Sequence, residues 1–158
     1  MRKQSLKAFT MLMLIVTVSF MTAVTSANGQ SSRMVVADIP FDFNVGGKVL
    51  TAGEYTVKAF NANGDALAIS NKQSNKTAIR LTLSIEAGRA PEQTKLVFHR
   101  YGQRYFLSEV WSAGERTGRM LHKSREERAI ESQLAAIPSK SELASSAYEI
   151  VEIVAMVR

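Results

Sequence analysis

Every second residue from Ile79 to Ile85 is apolar, and Arg80, Thr82 and Ser84 stand between them. Side chains of an extended strand alternate between two faces, so this spacing predicts a strand over 77–86. The expectation is that Ile79, Leu81, Leu83 and Ile85 meet a core, with Arg80, Thr82, Ser84 and Glu86 in water. Phe41, Phe43 and Val45 alternate with Asp42 and Asn44 in the same way. Further runs at 48–50, 54–60, 66–71, 94–101 and 105–112 are divided by turn residues: Gly46-Gly47, Thr51-Ala52-Gly53, Asn61 to Asp65 and Gly102-Gln103. Strands this close along a chain pair as an antiparallel meander. The fold class is therefore mainly β, a small antiparallel β-barrel or β-sandwich of about seven to nine strands.

One helix breaks the pattern. Ser124, followed three residues later by Glu127, fits a capping box, and Ile130, Leu134 and Ile137 recur on one helical face before Pro138. An amphipathic helix is predicted over about 123–137, laid across an open end of the sheet. Ala113 to Met120 (AGERTGRM) reads as a glycine-bearing basic loop. The β-branched run from Tyr148 to Val157 predicts a final C-terminal strand with both faces partly covered, with a terminal helix as the alternative.

The first 27 residues read differently. Arg2, Lys3 and Lys7 precede an apolar, uncharged stretch at 8–24, and Thr25-Ser26-Ala27 follow. A basic start, an apolar run and a small-residue exit are the parts of a signal peptide. The expected organisation is a signal peptide at 1–27, a flexible tail at 28–33 and a single β-rich domain at 34–158. An uncleaved anchor is the alternative, with a run at the short edge of what spans a bilayer. After cleavage no stable membrane span is expected. The chain is read as exported, to the periplasm, the cell envelope or the exterior.

The leader holds three basic residues and no acid, so it accounts for half of the net charge of +6. The remaining balance is mild and gives no nucleic-acid footprint. No cysteine is present, so no disulfide staples the domain, and with only two histidines no metal site is expected. No cofactor motif occurs, and neither does a phosphate loop, a nucleophile elbow or an HExxH helix. Asp38 and Asp42 flank Pro40 without the glycine-interrupted acidic loop of a calcium site.

Chemistry concentrates on one hairpin. His99, Arg100, Tyr101, Arg104, Tyr105, Glu109 and Trp111 form the candidate binding surface. His99 and Tyr101 share a strand face and Arg100 lies opposite. In a polar-site reading, Glu109 orients His99 while Arg100 or Arg104 holds an anion. In a plain structural reading, Arg100 and Glu109 pair across the hairpin and set its register. Tyr105, Leu107, Glu109 and Trp111 are expected on one face, where Trp111 and Tyr105 would stack on a sugar or close the core. The basic run Arg116, Arg119, His122, Lys123, Arg125 and Arg128, interleaved with Glu115, Glu126, Glu127 and Glu131, reads as a solvated surface with ion pairs.

Two blocks carry a resemblance. Ile39-Pro40-Phe41-Asp42-Phe43, Gly46-Gly47-Lys48 and Leu50 to Val57 make up the first, and Leu96 to Gly102 with Tyr105 to Trp111 the second. They resemble blocks of a group of uncharacterised exported bacterial β-rich proteins. Thr51 stands where that group carries proline, which leaves the turn less stiff. The resemblance implies an exported β-domain and supplies no activity, cofactor or catalytic residue. The expected function is that of an exported, non-catalytic binding or structural module, with an envelope protein or glycan as partner. A small hydrolase-like enzyme built on His99 and Glu109, and a carrier of a small apolar ligand, are the alternatives.

Overall fold

The computed structural model describes residues 33–61, 63–135 and 148–158. The expected signal peptide and nearly all of the tail lie outside these residues. The described chain is mainly β. Eleven strands run in the order β1 (Val35–Ile39), β2 (Phe43–Val45), β3 (Lys48–Leu50), β4 (Gly53–Ala59), β5 (Ala66–Asn71), β6 (Thr77–Glu86), β7 (Lys95–Tyr101), β8 (Arg104–Trp111), β9 (Thr117–Leu121), β10 (Glu149–Val154) and β11 (Met156–Val157). The helix α1 (Arg125–Ala135) lies between β9 and β10.

Hydrogen-bonded neighbours follow the order β10-β7-β8-β9-β6-β5-β4-β1-β11, with β2 and β3 off this path. All pairings are antiparallel except β2 with β8. Two half-sheets share two segments. The first half of β6 pairs with β5 and its second half with β9. At the other side β10 pairs with β7 and β11 with β1, and only Ala155 separates β10 from β11. The sheet thus wraps round its core without a ladder that closes it. Ala155 is buried and gives its N–H to the Thr94 carbonyl at 2.8 Å, which fixes the bend.

Rings fill the space between the half-sheets. Phe43 meets Tyr55 and Phe98 edge to face at 5.0 and 5.5 Å, and Phe41 lies flat on Tyr105 at 3.8 Å. Each such pair adds about 1 kcal/mol beyond the area it buries. Ile39, Val57, Ile69 and Leu96 complete the cluster. A carrier of an apolar ligand would need empty space where these rings meet.

The facing of β6 reverses the expectation. Ala78 (1 % exposed) and Thr82 point inward, while Ile79, Leu81 (69 % exposed) and Leu83 point outward. Arg80 pairs with core residue Leu67 and so shares the inner face. Its guanidinium donates to the carbonyls of Val45 (3.1 and 3.2 Å) and Gly46 (2.6 Å), tying β6 to the β2–β3 turn. The strand spends its inward positions on a small residue, a turn-binding cation and a hydroxyl.

Four further expectations change. Thr117–Leu121 is a strand, where the glycine-bearing segment read as a loop. Gly118 is a close-approach residue there: a Cβ on it would lie 2.5 Å from the Trp111 ring. On β10, Val151 and Ile153 pack against the core while Ile150 and Val154 are exposed, so only one face is covered. Helix α1 begins after its Ser124 cap, whose Oγ accepts from the Glu127 N–H at 3.0 Å. Its only buried residue is Glu127, not its apolar stripe, and the predicted Ile137 lies outside the described residues. The helix rests on the outer face of β7 and β8 rather than over an open end, because its anchoring contacts are with His99, Tyr101 and Arg104.

Candidate binding face on β7, β8 and β10

A bulge organises the site. In the β7–β8 ladder Val97 faces Glu109 but Phe98 faces Leu107, so Ser108 is an extra residue on β8. Tyr105 and Leu107 therefore turn toward the core, while Glu109 and Trp111 turn outward. This separates the four residues expected on a single face, and with them the Trp111–Tyr105 platform. The outer face carries Lys95, Val97, His99 and Tyr101 from β7, beside Phe106, Glu109 and Trp111 from β8.

Helix α1 closes one half of this face. Glu127 accepts from His99 Nδ1 at 2.9 Å, with His99 7 % and Glu127 4 % exposed. The Tyr101 hydroxyl donates to the same carboxylate at a longer 3.5 Å. Tyr148 stacks on the imidazole at 3.9 Å between centroids, and the Lys123 ammonium sits over Tyr148 while bonding both Glu131 oxygens at 2.7 and 2.9 Å. Burial, then the nearby charges of Glu127 and Glu131, push the Tyr101 hydroxyl well above the ordinary tyrosine range. It is a neutral donor at any physiological pH.

The other half is open. A groove of about 350 Å³ has Val97, Trp111 and Glu109 among its lining, with His99 from β7, Ile150 from β10 and Tyr148 just ahead of β10. The indole N–H donates to Glu109 Oε2 at 2.7 Å. Lys95 and Glu152 pair at 2.6 Å. Ala87, Arg89 and Pro91 supply a wall, which is tied down where Gly114 N–H donates to the Pro91 carbonyl and Ala113 N–H to Thr94 Oγ.

Of the expected surface, the structure brings His99, Glu109 and Trp111 to this groove. Tyr101 and Arg104 lie by the helix, where Arg104 pairs with Glu126. Tyr105 belongs to the core side, and Arg100 bonds Glu149 and the Gly102 carbonyl. Two pairings fail. Glu109 does not orient His99, because Trp111 holds it; and Arg100 faces Tyr105, not Glu109, because the two-residue turn at Gly102-Gln103 sets that register and places Glu109 further along β8, beyond the bulge. The partner of His99 is Glu127, 28 residues on. The one sequence signal for it was its place three residues after Ser124, which read as a capping box; its side chain turns to His99 instead. Lys95, Glu152 and Tyr148 carried no signal.

The basic run is dispersed: Arg119 bonds Ser84 and the Asn63 carbonyl, Arg116 the Ala87 carbonyl and Lys123 Glu131. Asp42 accepts from the Ala52 N–H as a turn brace. Among the described residues no group of three or more metal-ligating side chains occurs, and no helix is long and apolar enough to cross a membrane. No family model, curated protein or solved structure matches the chain.

Proposed function

We propose that the protein is an exported, non-catalytic binding module of the cell envelope or the exterior, and that the open half of the β7–β8–β10 face meets its partner. The observation that carries this reading is the groove itself: an indole, a carboxylate and an ion pair brought together from three strands on a rigid sheet, with the wall pinned by backbone bonds. Two features of the sequence support export, the leader at 1–27 and the resemblance to exported bacterial proteins. His99 is a poor centre for hydrolysis. Its Nδ1 is committed to Glu127, its ring is stacked under Tyr148, and among the described residues no hydroxyl nucleophile bonds to it.

Co-sedimentation of the purified domain with isolated envelope polymer tests the reading. The expected result is retention of the parent chain and reduced retention of Glu109→Gln. Turnover of ester, amide or glycoside substrates that His99→Asn abolishes, in a variant that still folds, would replace the module with an enzyme.

A further inference from the structure

We infer that the groove takes a neutral sugar ring of an oligosaccharide, laid against Trp111. The inference rests on the binding-module reading and names its ligand class. Three observations lead to it. First, β7 is flanked by β10 on one side and β8 on the other, so the floor of the groove is a sheet face where the β7 backbone groups are already spent in ladders. An extended peptide adds itself to a free edge, and the free edge here is the outer side of β10, beside the groove rather than in its floor. Recognition on the floor comes from side chains.

Second, all but one of the charges of the groove are paired. Lys95 and Glu152 neutralise each other at 2.6 Å and Arg89 pairs with Glu92 at 3.8 Å, so Glu109 is the single carboxylate of the groove without a cation partner among the described residues. A polyanion or polycation finds no complementary field here. A ligand rich in hydroxyl groups does find partners. One Glu109 oxygen is held by the indole N–H, and the other makes no hydrogen bond among the described residues, so it is free to accept from a hydroxyl. Hydrogen bonds to a charged acceptor are stronger than neutral ones.

Third, the apolar part of the groove is rigid. Trp111 is clamped by its bond to Glu109 and by Gly118, whose missing side chain is the space that the ring occupies; Trp111 is 8 % exposed, so the groove meets one strip of the indole. Val97 is buried beside it. A sugar ring offers one face of C–H groups and a rim of hydroxyls, which matches a fixed apolar floor edged by a carboxylate and an ammonium. The volume falls in the range of small-molecule sites, about 300–1,000 Å³.

Trp111 is the sole tryptophan of the chain, so its emission reports on this groove alone. The experiment is a fluorescence titration of the folded domain with neutral oligosaccharides: cellohexaose, maltohexaose and hexa-N-acetylchitohexaose. The expected result is a saturable emission change with at least one of them, insensitive to added salt. Glu109→Gln should weaken it about tenfold, the size of one lost charge-assisted hydrogen bond. Leu81→Thr, on β6, should leave it unchanged. Silence toward all neutral sugars, with a response to an unstructured peptide or to an acidic polysaccharide that Glu109→Gln alters, would overturn the sugar assignment and keep the binding face. Silence toward every probe, together with no retention on envelope polymer, would overturn both.

Discussion

The two halves of the outer β7–β8 face are made by the same two strands, yet they end in opposite states. In the covered half, His99, Tyr101 and Glu127 are sealed under a helix and satisfy one another. In the open half, Glu109 and Lys95 are half-used and face a groove. The Ser108 bulge decides which residues join which half, since it switches β8 from an inward Leu107 to an outward Glu109. The comparison teaches that α1 covers its half through polar contacts rather than through its apolar stripe. Helix α1 docks through a glutamate while Leu134 of its apolar stripe stays exposed.

The largest effect belongs to the covered half. Glu127→Ala leaves the His99 Nδ1 and the Tyr101 hydroxyl without their acceptor, and breaking a buried hydrogen-bonded pair costs about 3 kcal/mol. A urea titration should show a lower midpoint, with hydrogen exchange rising first in α1. A change below about 1 kcal/mol would mean that the helix is held elsewhere. Gly118→Ala tests the open half. The added methyl must displace the indole, and overpacking costs about 2 kcal/mol. The emission maximum of the sole tryptophan should move without any ligand. An unmoved maximum would show that the ring is not clamped.

The smallest effect appears only at alkaline pH. The folded Tyr101 hydroxyl holds its proton above the ordinary tyrosine value, so above that value the unfolded chain binds fewer protons than the folded one. Its contribution is whole below pH about 10 and shrinks as pH rises further. Tyr101→Phe should flatten the alkaline limb of a stability–pH curve. An identical slope in both proteins would remove Tyr101 from the covered half.

Much of the strand layout was legible, because alternation and glycine turns are local properties. The Gly102-Gln103 hairpin and the Ser124 cap appear where the residues place them. Which face of a strand is inward is not local. The spacing of Ile79, Leu81 and Leu83 is that of a strand, but the folded sheet turns Ala78, Arg80 and Thr82 inward. The bulge at Ser108 has no glycine to announce it, so the split of Tyr105 from Trp111 was hidden. Gly118 looked like a loop residue because a glycine that admits a neighbouring ring and a glycine that turns the chain are the same letter. The His99–Glu127 pair joins distant segments, and only the folded sheet brings them together.

Residues 149–157 add a strand to each end of the sheet path, to β7 on one side and to β1 on the other. Loss of this one stretch would therefore bare an edge of β7 and an edge of β1 at once, two templates for pairing with another chain.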